Sequence, residues 1–477
     1  MFFAVNKNMD NALWNKILQF DFDDPPGEFG FSIRLAKEKF WTKNFTEKAI
    51  LEYKKFMYLA SISESMVSPS ETVDEVWHLH LIFTQSYQKF CQLLGKQIQH
   101  IPSTHNKADF QKFKKAKEQT NTLYESIFGA QPKDIWEFDG MYESLNLDKA
   151  KINLRSFISK FLIVFLILTF PFYYILKPIY ITINNPYFLI GFIILCIVTF
   201  KLLDIYNKIK LRKITRKFDS TSFVFDLQPY EIIYLKTQKT SSIIDGVVNE
   251  LIYNKTVEIQ PYSIINLIEN KSDLTTEQIQ VTTSLKEFGK SVYSTLMKRM
   301  LRKPVFINIS NCMNAFEKYF IKSKKFNNLF YLNFVVFEIL AMIAYIRIMT
   351  GFNRNKPVGL LVFTLIVFVL VAIFFLYKLT RLLFIDTIPN LYKKEILPGR
   401  QIENNWQWNY FLFSTAVITP AFIPLIEESN KYRPDTASGN SPGGSCGTSS
   451  DSSSSSSCSS SCGSSCGSSC GGCGGGD

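Results

Sequence analysis

Four stretches of this chain are too apolar and too poor in charge to sit comfortably against water. They run from Phe157 to Leu176, Tyr187 to Leu203, Leu329 to Met349 and Val358 to Tyr377. A helix of about 20 mostly apolar residues crosses the ~30 Å hydrocarbon layer of a bilayer. Runs of this length without polar interruption are rare in soluble folds. The first carries Lys160, whose stem can snorkel, and Pro171, a kink position. The last contains no charged residue. The windows predict a mainly α, polytopic membrane protein, with the lipid bilayer as its first partner.

A net charge of +12 is compatible with a nucleic-acid partner, but the cations cluster beside the windows. Lys149, Lys151, Arg155 and Lys160 lie at the first, and Lys201, Lys208, Lys210, Arg212, Lys213, Arg216 and Lys217 follow the second. Lys318, Lys322, Lys324 and Lys325 precede the third, and Lys378, Arg381, Lys393, Lys394 and Arg400 follow the fourth. The short connections hold Lys177 in one case, and Arg347, Arg354 and Lys356 in the other. Basic loops stay on the cytoplasmic side. Two hairpins, 157–203 and 329–378, are therefore expected, with the N-terminus and the 204–328 region in the cytoplasm. The start, Met1-Phe2-Phe3-Ala4-Val5-Asn6-Lys7, has no charged leader before an apolar run, so no cleavable signal peptide is expected.

Within 379–435, a fifth apolar stretch spans Tyr410 to Ile426, with Trp406 and Trp408 at its entrance and Pro420 and Pro424 inside. As a span it would put the tail outside. As a surface segment, the favoured expectation, it leaves the tail in the cytoplasm. Glu338 stands near the centre of the third window, where an ionised carboxylate costs about 3 kcal/mol. It is expected to be neutral and bonded to a neighbouring helix, with Thr199, Thr364 or a tyrosine as partner. A proton or ion pathway is the alternative.

All four histidines, His78, His80, His100 and His105, fall within 28 positions. Residues 1–145 read as an all-helical domain. Ser68-Pro69-Ser70-Glu71 supplies a cap, a proline and a first-turn carboxylate for a helix start. The stripe Val73, Val76, His80, Phe83, Tyr87, Phe90 and Leu94 predicts one helix stopped at Gly95. Thr46 to Ile62 and Lys107 to Phe128 look helical as well. Residues two apart on a helix point about 200° from each other, so His78 and His80 cannot easily hold one ion. Two ligand sets remain. One joins His80 and His100 to a carboxylate; the other joins His78 and Asp74, four residues apart, to a residue from elsewhere. Mixed imidazole and carboxylate ligands suit zinc or another divalent transition ion. The bland alternative is that His80 and His100 bond backbone groups. No other cofactor motif appears: Walker, nucleophile-elbow and HExxH strings are missing from the sequence.

Pro69 through Pro102 contains Val73-Asp74, Trp77-His78-Leu79-His80, Tyr87, Cys91 and His100-Ile101-Pro102. This pattern resembles the glycine-rich-domain-protein-like family, whose Trp-His-x-His segment follows an Asp and precedes a Tyr. The resemblance covers about the first 140 residues and implies a helical domain without an assigned activity.

Residues 215–325 alternate helical patterns with β-rich pieces, predicting a small mixed α/β, winged-helix-like interaction domain. Pro229 to Leu235 opens one helix, Ser241 to Tyr253 forms a second, and Val257-Glu258-Ile259 reads as a strand. The second helix lacks Lys and Arg, so nucleic acid is not expected. From Ser438 onward, 18 Ser, 11 Gly and 6 Cys lie among 40 residues, a composition that cannot bury a core and predicts a disordered tail over 436–477. Cys458, Cys462, Cys466 and Cys470 repeat every four residues, and Cys473 follows. Such thiols are open to soft-metal binding, disulfide formation or modification, and a plain tether is the alternative. Tyr230-Glu231-Ile232-Ile233-Tyr234-Leu235, the paired windows and the Cys/Gly run resemble an uncharacterised family of bacterial multipass membrane proteins. That resemblance covers about 150–477 and implies a bacterial cytoplasmic membrane location. The tail departs from the pattern in being dominated by Ser.

Three functions follow as expectations. A membrane-embedded binding or scaffold protein, recruiting protein partners at its cytoplasmic domains and handling metal, is favoured. A metal-dependent enzyme built on the histidines is the second, and transport centred on Glu338 the third.

Overall fold

Why the chain divides into helices can be followed from its caps. The computed structural model describes residues 9–24, 27–101, 107–268, 273–400 and 405–431. Asp10 accepts from the Ala12 and Leu13 N–H groups and opens α1 (Asn11–Gln19); α2 (Phe31–Lys39) follows. Thr42 accepts from Phe45 N–H and opens α3 (Lys43–Ile62). Then come α4 (Glu71–Ile82), α5 (Thr84–Leu94), α6 (Lys107–Phe128) and the short α7 (Lys133–Trp136). The cap of α4 is Ser70, not Ser68, since the Ser70 hydroxyl takes Val73 N–H at 3.2 Å. The expected single helix from Glu71 to Leu94 is two. Phe83 leaves the helical region at φ −82°, ψ 61° and lays its ring on Phe31, 5.5 Å away. Gly95, at φ +69°, ends the second piece in the left-handed conformation that a side chain resists.

Four helices are long and apolar enough to cross a membrane. They are α8 (Leu154–Thr182), α9 (Asn185–Thr215), and, later in the chain, two that form the second pair. Between the pairs lie α10 (Pro229–Thr237), α11 (Thr240–Tyr253), β1 (Val257–Gln260), β2 (Ile264–Leu267), α12 (Thr276–Phe288), β3 (Ser291–Val292), α13 (Tyr293–Met300) and α14 (Pro304–Ile321). The strands form an antiparallel sheet in the order β1-β2-β3. The second pair is α15 (Lys324–Phe352) and α16 (Gly359–Leu382). The last continues through α17 (Ile388–Leu391) as a 41-residue rod ending at Gly399. Two π-turns, Leu383–Thr387 and Tyr392–Ile396, interrupt it; such turns re-aim side chains within a continuous helix. All four helices outrun the apolar windows because their polar ends stay helical.

α15 is the centre of the apolar bundle. Its most apolar window is 44% buried, against 6%, 17% and 17% in the other three, and it packs on α8, α9 and α16. Asn207 of α9 and Asn333 of α15, both fully buried, exchange two amide hydrogen bonds of 2.9 Å. Arg347 does not lie in the connection between the third and fourth windows. It is buried within α15, and its guanidinium donates to the carbonyls of Tyr180 and Ile183 at the end of α8, the second at 2.6 Å. A cation there satisfies carbonyls that a helix end leaves unpaired and meets the negative end of the helix dipole.

The other helices share one continuous apolar core, from Ile17 to Leu425. Its two halves are also stitched by polar bonds. Asn308 donates to the Ile33 carbonyl at 2.8 Å, Lys303 pairs with Glu28 at 2.6 Å, and Glu231 accepts from Lys43 N–H at 3.1 Å. The segments entering α8 and α15 run side by side, with Ala150 N–H on the Lys322 carbonyl and Lys324 N–H on that of Asp148. The fifth apolar stretch is bent by 69° between its halves and folds into α18 (Trp406–Phe413) and α19 (Ile423–Lys431). These halves pack on α10, α11 and α13. Tyr410 donates to the Ser242 carbonyl at 3.0 Å, Thr419 N–H to Asn249 Oδ1 at 2.9 Å, and Tyr293 stacks edge-on against Phe422.

Candidate metal centre

The site is assembled by one helical turn and one chain reversal. Asp74 and His78 stand four residues apart on α4, their Oδ2 and Nε2 atoms 3.6 Å apart. His100 arrives from the segment after α5, placing its Nε2 3.0 Å from Asp74 Oδ1. One ligand atom from each of the three lies within 4.8 Å of the others. An ion with ligand bonds of ~2.1 Å in tetrahedral array holds its ligand atoms roughly 3.4 Å apart, and the 3.0 and 3.6 Å separations, one from each Asp74 oxygen, lie on either side of that value.

His100 is held in place from beneath. The Tyr87 hydroxyl donates to the Ile98 carbonyl and accepts from Trp77 Nε1 at 3.2 Å. The Trp77 ring lies edge-on to His100 at 4.7 Å. Two buried aromatic side chains of the Trp-His-x-His helix pair thus fix the backbone that presents the third ligand. The His78 side chain is 51% exposed and that of His100 15%, so the triad opens to solvent on the His78 side. The local field is negative. Burial raises the Glu71 carboxyl above its usual range, and the neighbouring Asp139, Glu75, Glu143 and Asp74 carboxylates raise it further. Lys39 pairs with Glu75 and offsets part of this.

His80 belongs to a different environment. It is fully buried, with the Tyr53 hydroxyl 2.8 Å from Nδ1 and the Ser86 hydroxyl 3.2 Å from Nε2. Phe22, Phe31, Tyr87 and Phe90 surround its ring. Burial pushes its pKa down to about 3, with the Ser86 bond opposing. The structure therefore groups Asp74, His78 and His100, and keeps His80 apart as a neutral core group. The break at Phe83 is what brings Ser86 to His80, because residues six apart on an unbroken helix do not share a face. Neither the break nor the Tyr53 contact had a signal in the sequence, where the apolar spacing runs on without interruption.

Glu338 is half-buried on α15 and makes no hydrogen bond or ion pair among the described residues; the Thr364 hydroxyl bonds the Leu360 carbonyl instead. His105 and the tail cysteines Cys458, Cys462, Cys466, Cys470 and Cys473 lie outside the described residues.

Residues 32–125 match an uncharacterised family described as UCP032817-like. The match is partial. It runs from α2 into α6 and contains Asp74, His78, His100 and the Trp77–Tyr87 pair. No curated protein and no solved structure matches the chain.

Proposed function

We propose that this is an integral membrane binding or scaffold protein whose N-terminal helices carry a divalent transition ion, zinc or a similar metal, on Asp74, His78 and His100. The observation that carries the metal reading is the convergence of three ligand atoms within 4.8 Å inside an acidic surround. Support for the membrane comes from burial. A helix whose apolar window is only 6% buried, as in α8, would expose to water a patch far larger than soluble monomers carry. The charge pattern favours a cytoplasmic N-terminus, and the tail resemblance a bacterial cytoplasmic membrane. Tail thiols Cys458 to Cys473 would form a second, softer metal site.

The expected result is about one zinc per full-length chain held by this triad after dialysis, over and above any held by the tail thiols, as in a three-ligand site completed by water. His78→Ala and His100→Ala should each remove it. Retention of stoichiometric zinc at the wild-type level in both variants would dismiss the assignment. The second reading, a metal-dependent enzyme, draws on one observation: the solvent-facing side of the triad leaves a coordination position free for a metal-bound water.

A further inference from the structure

The apolar bundle pairs Asn207 with Asn333 and gives Arg347 two carbonyls, but among the described residues it offers Glu338 no partner. Glu338 lies nine residues after Leu329 and eleven before Met349, about 14 and 17 Å of helix rise, so it stands near the middle of the apolar window of α15. An ionised carboxylate is costly at that depth. A neutral one still carries a donor and acceptors that hydrocarbon cannot satisfy. Tyr331 and Tyr345, seven residues to either side, share its row to within about 20°. Both rest on phenylalanines of α8: the ring of Tyr331 stacks on Phe157 at 3.7 Å, and that of Tyr345 lies 6.1 Å from Phe165. Along this row α8 presents rings, not hydrogen-bonding side chains.

The rest of α15 shows where a partner can come from. Phe337, Leu340 and Ala344 pack toward α9 and α16. A different stripe is left open: Leu332 is 43% exposed and Ile339 53%, Met349 is exposed as well, and Val335 and Met342 are half-buried between them. These five recur at steps of three, four, three and seven residues, the spacing of a helix-packing seam, and Glu338 stands at its edge. We infer that this face of α15 packs against α15 of a second copy of the chain, with the two Glu338 carboxyls hydrogen-bonded across a two-fold axis along the membrane normal. Two arguments favour a second copy over another protein. Inserted with the same topology, a copy brings Glu338 to the same depth by construction, whereas a different chain must place a polar group there independently. A neutral carboxyl is also self-complementary, since its O–H donates and its carbonyl oxygen accepts, and a two-fold interface sets one patch against itself. Packing and interhelical hydrogen bonds associate helices in lipid, and this seam supplies both. The interface rests on the membrane reading above.

Single-molecule photobleaching tests this on the full-length protein, carrying one fluorophore per chain and reconstituted at rising density in vesicles of phosphatidylethanolamine and phosphatidylglycerol. A reductant keeps the tail thiols from crosslinking copies. Dimers are expected. Glu338→Leu should weaken them roughly tenfold, within the range of about threefold to thirtyfold that an interhelical hydrogen bond in a membrane gives. Glu338→Gln, whose amide also donates and accepts, should keep them. Ile339→Ala should weaken them too, and it probes the same seam if Glu338→Leu fails to insert. Phe363→Ala, at a 64% exposed position on α16, should change nothing. Monomers at every density, or dimers that neither Glu338→Leu nor Ile339→Ala weakens, overturn the interface. Equal weakening by Gln and Leu at position 338 overturns the paired hydrogen bonds. A chain that stays with membranes after alkaline carbonate but is monomeric loses only this interface, whereas one soluble without detergent loses the membrane reading as well.

Discussion

Burial sets the charge of His80, and the consequence is a pH dependence with a definite sign. Its folded pKa of about 3 lies below the ~6.5 of an unfolded chain. Between those values only the unfolded chain takes the proton, so stability is present above pH 6.5 and is lost as pH falls, by about 2 kcal/mol at pH 5. Glu231 has the opposite sign. Burial raises its carboxyl to about 7, against the lowering by Gln228 and Lys43 N–H groups. Its contribution is present below the unfolded value near 4.5 and is lost as pH rises through 7, by roughly 3 kcal/mol. Between pH 4.5 and 6.5 the two oppose each other. Relative to wild type, His80→Gln should melt at falling temperature as pH rises through this window, and Glu231→Gln at rising temperature. Unchanged profiles in both would refute the assignments. At this scale the Asp74–His78 spacing was legible, being set by helix geometry alone. The arrival of His100 was not, because it depends on the turn at Gly95 and on Tyr87 holding Ile98.

Among elements, the docking of the 406–431 segment depends on one small residue. A Cβ at Gly246 of α11 would sit 2.7 Å from Tyr410 Cε1 and 3.1 Å from Tyr230 Cε1. Alanine is the better helix former by about 1 kcal/mol, yet wedging a methyl between two rings costs 1–3 kcal/mol by overpacking, of order. Gly246→Ala is predicted to destabilise the protein and to speed amide exchange in Trp406–Phe413; a stabilised protein would count against this packing. The Asn207–Asn333 bridge makes a second prediction. A double-mutant cycle with leucine at both positions should give a coupling of about 0.6–2 kcal/mol, and no coupling would mean the amides do not bond. The four apolar helices were readable from sequence because hydropathy is a one-dimensional property. The kink at Phe83 was not, since the apolar spacing runs through it and its ring contact, Phe31, is far away in the chain. Arg347 was misplaced for a related reason: its partners are carbonyls of another helix.

Over the whole molecule, the two halves of the shared core are joined through non-local bonds such as Lys43–Glu231, 188 residues apart. No local pattern announces that the N-terminal helices and the 229–321 helices will share a core, because each has enough apolar residues to read as self-sufficient. The proposed metal site lies in the N-terminal helices, where Asp74, His78 and His100 converge. Cobalt(II) substitution of the full-length, detergent-purified protein probes that claim most directly, since its visible spectrum distinguishes nitrogen and oxygen ligands from thiolates. The account predicts weak d–d bands, without strong thiolate charge transfer, for the first equivalent bound, and loss of those bands in His78→Ala/His100→Ala. A first equivalent showing intense thiolate bands, or the same spectrum in the double variant, would contradict it.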